Sequence, residues 1–296
     1  MPVSSTNSPD KGTEFSQKRS IGCGRIQLDL SEPVVMGILN ITADSFFDGG
    51  KYLTEKAMLS RVETMLDEGA AIIDIGAVST RPGSKAVSAG EELSLIAKSV
   101  KTIAVQFPEV IISVDTYRSQ VARMAAAQGA HIINDISGGT MDPLMHETIA
   151  GLDAAYVLMH IQGTPENMQD NPVYEDVSRE VARFFDRQLE ILTSLGKSNI
   201  ILDPGFGFGK SVAHNFELLN NLERFCDYPY PLMAGISRKS MINRILNTTP
   251  AEALNGTTVL NTIALLKGAL ILRVHDIKPA AEAIKLVTAM KQSGRK

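Results

Sequence analysis

The 296-residue chain has no tryptophan, only two cysteines and few aromatic residues. Cys23 and Cys226 are too few to staple a disulfide scaffold, and their separation is not the close pairing of a structural zinc site. Such sparing use of cysteine fits a reducing, cytoplasmic setting. Long hydrophobic runs are missing too. The greasiest stretch, residues 259–274, is broken by Asn261, Lys267 and Arg273, whereas a membrane span needs about 20 apolar residues in succession. Residues 1–20 mix Ser, Thr, Asn, Pro and Lys without an apolar centre, which predicts a flexible polar tail and not a signal peptide. An excess of positive charge is also absent: 29 Lys and Arg against 33 Asp and Glu leave a net charge of −4. That argues against nucleic acid or an anionic membrane as the partner, but leaves room for one small anion in a local basic pocket. With 44% hydrophobic residues, the chain has ample material for a large core.

That apolar material is arranged rhythmically. Short β-rich runs at 34–39, 71–75, 110–114, 131–133, 155–159, 200–202, 231–234 and 270–274 alternate with segments of helical period such as 55–68, 91–106, 118–128 and 174–195. Gly69, Gly129, Gly151 and Gly196 mark helix stops before the next run. A short hairpin is expected over 21–30. Eight such units match an α/β fold of the (β/α)8 TIM-barrel class, one domain over residues 21–296, with a doubly wound open sheet as second choice.

In a barrel, catalytic groups gather at the C-terminal ends of the strands. Here those ends carry Asn40, Asp74, Asp115, Asn134, His160, Asp203, Lys239 and the Arg273/His275 pair. One such residue is ordinarily a helix cap; so many on one face point to an enzyme or a tight binding site. Asp115, Asn134 and Asp203 offer carboxylate and amide groups suited to a flat heterocycle rich in N–H donors. Arg238 and Lys239 follow the seventh run, and Arg273 and His275 end the eighth, where barrels often hold phosphate. Asn40 could contribute an oxygen to Mg²⁺ that keeps most of its waters and shares substrate phosphate. The segment 205–211, Gly-Phe-Gly-Phe-Gly-Lys-Ser, looks like a phosphate loop. It nevertheless fails the Walker A spacing at Pro204 and the dinucleotide pattern at Lys210. Its role stays open between a ligand-approaching loop and a plain turn. No nucleophile elbow or zinc motif is present.

In this order, Met36-Gly37-Ile38-Leu39-Asn40, Asp44-Ser45-Phe46, Ser79-Thr80-Arg81-Pro82-Gly83, Ser113-Val114-Asp115-Thr116, Ile132-Ile133-Asn134-Asp135, Leu158-Met159-His160, Asp203-Pro204-Gly205-Phe206-Gly207-Phe208-Gly209-Lys210, Ser237-Arg238-Lys239-Ser240 and Arg273-Val274-His275-Asp276 resemble the dihydropteroate synthase family, over residues 34–285. The resemblance implies a homodimeric barrel that joins 4-aminobenzoate to (7,8-dihydropterin-6-yl)methyl diphosphate, releasing diphosphate. By the same resemblance, Thr80, Asp115, Asn134, Met159, Asp203, Phe208 and Lys239 would hold the pterin. Arg273 and His275 would bind the diphosphate, with Mg²⁺ at Asn40. Phe46, Arg81, Pro82 and Ser240 would shape the aminobenzoate site. Asp115, Lys239, Arg273 and His275 would be the catalytic groups, with no protein nucleophile. The chain departs from the family pattern at Ala43, Phe47, Ala77 and Val78, in loops beside the site. Two alternatives share parts of this pocket: the pterin-binding barrel of corrinoid-dependent methyltransferases, and a pterin binder without turnover.

Overall fold

The structure, a computed structural model, describes residues 17–41, 54–77 and 88–293. It opens with an antiparallel hairpin of β1 (Ser20–Cys23) and β2 (Ile26–Asp29). A parallel sheet follows: β3 (Val34–Asn40), β4 (Ile72–Gly76), β5 (Ile111–Asp115), β6 (Ile132–Asp135), β7 (Ala155–Met159), β8 (Ile200–Asp203), β9 (Met233–Ala234) and β10 (Ile271–Val274). Neighbours in sequence are neighbours in the sheet, β10 returns to β3, and a single parallel bridge from Leu202 to Leu232 joins β8 to the β9 side. The protein is therefore the expected (β/α)8 barrel. β9 is shorter than the 231–234 run predicts; Pro231 has no N–H for a ladder, and only its carbonyl is used, by Leu202.

The helices between the strands are α1 (Glu55–Asp67), α2 (Ala89–Gln106), α3 (Ser119–Ala127), α4 (Met145–Ala150), α5 (Val177–Ser194), α6 (Val212–Asn220), α7 (Ser240–Leu246), α8 (Leu254–Leu266) and α9 (Ile277–Ser293). Several start where a short polar side chain satisfies the first free N–H groups: Thr54, Ser88, Asp176, and Ser211 in a capping box with His214. Gly37 lets two of the helices approach: a β-carbon there would stand 2.4 Å from Met65 of α1 and 3.2 Å from Ile277 of α9.

Strand alternation sorts the side chains into three regions. Val35, Leu39, Ile73, Ile75, Ile112, Val114, Ile133, Leu202 and Leu272 face the helices in the main core. Met36, Ile72, Ile111, Ile132, Ile201, Met233 and Ile271 fill the base of the barrel, stoppered by Ile21, Cys23, Leu28 and Leu30 of the hairpin. Two residues further along five of these strands the inward layer turns polar, at Asp74, Ser113, Asn134, Asp203 and Arg273. The base is filled with apolar side chains, and the polar layer lies toward the opposite mouth.

Residues 17–20 belong to this folded body and not to a tail. Gln17 is buried with its amide on the Gly268 carbonyl (3.3 Å), and the Arg19 carbonyl accepts from Leu30 N–H. The hairpin recruits these residues by backbone pairing, which polar composition does not reveal.

Candidate active site

At the mouth, Arg273 projects from β10 between two carboxylates. Its Nε donates to Asp74 Oδ2 at 2.7 Å, and its terminal nitrogen donates to Asp115 Oδ2 at 2.6 Å and is ion-paired with Asp74 Oδ2 at 2.6 Å. Asn134 Nδ2 donates to the same Asp74 oxygen at 3.1 Å. Asp74 is fully buried, and its Oδ1 has no hydrogen-bond partner among the described residues. Burial pushes the Asp115 carboxyl up to about 7; Arg273 pulls it down, while Asp74, Glu92 and Asp135 push it further up. Burial disfavours the Arg273 charge, but Asp74 and Asp115 outweigh it and hold Arg273 above its ordinary range.

Beside this network, Asp203 ends β8 almost fully buried, accepting from Gly205 N–H at 2.8 Å. Burial raises its pKa against the pull of Lys239. Lys239 is the residue before α7. Its ammonium donates to the Phe206 carbonyl and lies 4.6 Å from the Phe208 ring centroid, a cation–π contact. Withdrawal from water brings its pKa down to about 8, although Asp203 favours the charge. Met159, Ile136 and Ile161 form an apolar patch with Phe208 packed against it. Asp115, Asn134, Met159, Asp203, Phe208, Lys239 and Arg273 thus converge as the sequence predicts.

The Gly-rich segment behaves differently from a phosphate loop. Lys210 points into the protein: its ammonium donates to the Gly205 carbonyl (2.9 Å), the Phe208 carbonyl (3.0 Å) and His160 Nδ1 (2.9 Å). Accepting from an ammonium requires a lone pair on Nδ1, and burial with the Lys210 charge holds His160 well below its usual pKa. Gly205 has φ +72°, and a β-carbon there would fall 1.9 Å from the His160 carbonyl oxygen. Lysine and glycines alike serve to wind this loop tightly over the mouth.

His275 lies with Nδ1 3.0 Å from Ser237 Oγ, while its own N–H donates to the same oxygen at 3.2 Å. Arg238 departs from the expected basic cluster. It sits in the left-handed region at φ +57° and forks onto Asp276, Nε to Oδ2 at 2.9 Å and a terminal nitrogen to Oδ1 at 2.5 Å. Its charge is taken up tying the turn after β9 to the turn after β10. Ser240 is exposed at the start of α7. Asn40 ends β3 opposite Gly76, where a β-carbon would stand 3.6 Å from both Asn40 Oδ1 and Asp115 Cβ. Its amide oxygen therefore borders the Asp115 side of the mouth. Among the described residues no three His, Cys, Asp or Glu side chains group as metal ligands. Phe46, Thr80, Arg81 and Pro82 lie outside the described residues, as do Ala43, Phe47 and Val78. Ala77 is buried without a positive φ.

Asp74, expected only as a polar strand end, and Lys210, in a loop whose role the sequence leaves open, have no partner assigned by the sequence. The signal for Asp74 was an ionisable residue inside an apolar run, Ile72-Ile73-Asp74-Ile75, which demands a buried partner.

The pterin binding enzyme family matches residues 36–275. The chain is 47% identical over 264 residues to a dihydropteroate synthase of Escherichia coli strain K12, covering 88% of this chain and 93% of that one. A Yersinia pestis dihydropteroate synthase, solved with a sulfonamide drug complex, superposes with TM-score 0.87 at 42% identity, covering 92% of this chain and 99% of the other. A Xanthomonas albilineans dihydropteroate synthase, solved with 4-aminobenzoic acid, superposes with TM-score 0.86 at 37% identity, covering 92% and 98%. Relatives this close over this much of the barrel leave no ambiguity of family: the chain belongs to the pterin-binding enzymes and, among them, to the dihydropteroate synthases.

Proposed function

We propose that the barrel mouth binds (7,8-dihydropterin-6-yl)methyl diphosphate and 4-aminobenzoate and joins them as 7,8-dihydropteroate. The observation that carries this reading is the juxtaposition of an acceptor-rich wall, Asp115, Asn134 and Asp203, with the cations Lys239 and Arg273 at one mouth. A pterin edge rich in N–H groups pairs with the carboxylates and the Asn134 amide, and its ring face lies along Met159 and Phe208. By the family resemblance, Thr80 adds a contact to the pterin. Arg273 and His275 take the diphosphate, and their hydrogen-bonded settings make them preorganised donors. Phe46, Arg81, Pro82 and Ser240 border the aminobenzoate.

The bond between the methylene carbon and the diphosphate oxygen loosens first, and the aryl nitrogen then forms its bond to that carbon. The amine proton is released, and the diphosphate leaves with the electron pair. Positive charge develops on the pterin as the carbon–oxygen bond loosens, and ionised Asp115 stabilises it. Lys239 orients the ring between Asp203 and Phe208. Asn40 supplies one hard, neutral oxygen, a donor that fits Mg²⁺ shared with waters and diphosphate; bound there, the ion would neutralise charge on the leaving group.

A second copy of the chain is the proposed protein partner. Leu254, Val259 and Leu266 of α8 and Leu286 and Met290 of α9 are exposed, and a groove of about 470 Å³ lies between these helices, lined by Leu254, Thr258, Leu286 and Val287. Sedimentation equilibrium should report a dimer that Val259→Glu with Leu286→Glu dissociates. No helix among the described residues is long and apolar enough to cross a membrane, and the cytoplasm is the proposed compartment.

Catalysis is tested by supplying both substrates with and without Mg²⁺ and following diphosphate release. Release that depends on 4-aminobenzoate, and competition by a sulfonamide, are the expected results. Binding of the pterin substrate without turnover would refute the synthase assignment.

A further inference from the structure

The first turn of α2 carries a buried carboxylate that the reaction described above does not use. Glu92 is 1% exposed. Its Oε1 accepts from Thr116 Oγ1 at 2.7 Å, and its Oε2 is ion-paired with Arg118. Thr116 is itself buried. Its hydroxyl accepts from Arg118 N–H at 3.2 Å, and its own N–H donates to the Asn134 carbonyl at 3.0 Å. One carboxylate on a surrounding helix therefore grips the residue directly after Asp115. That residue in turn is bonded to the backbone of Asn134, so the β5 and β6 ends, with the two side chains proposed to face the pterin, are fixed as one unit.

A buried charge is costly to maintain, and a serine or threonine pair could tie a helix to a loop without one. The cost is accounted for if the charge itself acts on the site. Asp115 is faced by Asp74 from β4, Asp135 from β6, Arg273 from β10, Lys239 from the start of α7, and Glu92 from α2. Among these, Glu92 is bonded to the segment that carries Asp115 but not to Asp115 itself.

We propose that Glu92 is a positioning residue for dihydropteroate formation: through Thr116 it sets the direction of the Asp115 carboxylate, and its buried negative charge, held on the segment that carries Asp115, acts on that carboxylate. The proposal rests on the assignment of Asp115 above. Glu92 approaches no reacting atom.

Its two effects separate by mutation. Glu92→Gln keeps the length of the side chain and an acceptor for Thr116 while removing the charge; Arg118 is left behind and acts on Asp115 in the same sense as that loss. The acid limb of kcat/KM for the pterin substrate should then move to lower pH by about half a unit. Thr116→Val keeps the charge and breaks the link. Its acid limb should stay in place while kcat/KM falls about tenfold. Glu92→Asp should restore the wild-type limb. Urea unfolding of each variant at neutral pH identifies any that is not folded, and a Thr116→Ser variant, which keeps the hydroxyl, should recover most of the Thr116→Val loss. An acid limb of folded Glu92→Gln that coincides with wild type, or moves to higher pH, overturns the proposal. Wild-type protein in the same assay keeps the outcomes distinct: absence of dihydropteroate from wild type refutes the function, whereas active wild type with an unmoved Glu92→Gln limb refutes only the role of Glu92.

Discussion

Replacing Asp115 by asparagine preserves the side-chain shape and removes a charge that the fold holds at a cost. Burial raises this carboxyl from 3.8 to about 7 despite the Arg273 contact. An acid whose folded pKa is raised binds its proton more tightly in the folded state. Its protonated form therefore favours folding, and that contribution is lost as pH rises from about 4 to about 7. The shift corresponds to about 4 kcal/mol. Asparagine has no proton to lose, so the slope disappears in Asp115→Asn. Near pH 4, where the Asp115 carboxyl is protonated, its exchange for an amide costs about 1 kcal/mol through altered hydrogen bonding to Arg273. The variant should accordingly be less stable than wild type near pH 4 and should gain about 4 kcal/mol on it by pH 8. Urea unfolding of ligand-free wild type and Asp115→Asn across this range measures the difference directly. At the same time, kcat/KM for dihydropteroate formation should fall on the order of a hundredfold or more. A stability difference that is flat with pH, or that grows in favour of wild type as pH rises, would refute the account of how the site stores its charge.

Other substitutions probe separate parts of the mouth. Lys239→Met removes the ammonium between Asp203 and the Phe208 ring, and kcat/KM should fall about a hundredfold in the steady-state assay. Gly205→Ala should lower Tm markedly, with a loss of about 3 kcal/mol or more in urea unfolding, because its β-carbon meets the His160 carbonyl and its φ is positive. Lys210→Met should leave the Phe208 carbonyl and His160 Nδ1 without their donor inside the loop, while the Gly205 carbonyl keeps the Phe208 N–H; unfolding should show a loss of about 2 kcal/mol, with a raised KM for the pterin substrate.

The barrel was legible because parallel strands covered by helices are short apolar runs, and the chain spaces eight of them between amphipathic segments with glycine stops. The run at 155–159 matches β7 in full, and the other strand ends shift by a residue or two as inward polar residues such as Asn40, Asp115 and Asp203 join the ladder. Convergence of Asp115, Asn134, Asp203, Lys239 and Arg273 followed from strand-end placement alone. What side chains do once they arrive was less accessible. Arg238 and Lys239 are adjacent in sequence, yet a left-handed backbone turns Arg238 onto Asp276 while Lys239 faces Asp203. Lys210 follows glycines as a phosphate-loop lysine does, yet its ammonium is bonded to two loop carbonyls and to His160. Asp74 is the buried counterpart of Arg273, 199 residues away in sequence. Such pairings are decided by tertiary closure, and periodicity carries no record of them.

The proposed reaction joins a pterin to an aryl amine at this mouth by displacing diphosphate. The most direct measurement is a mass-spectrometric count of dihydropteroate and diphosphate formed by the purified protein from the two substrates. Equal amounts of both products, with neither appearing when 4-aminobenzoate is omitted, are predicted. Diphosphate released without dihydropteroate, or no conversion although the pterin substrate binds, would contradict it.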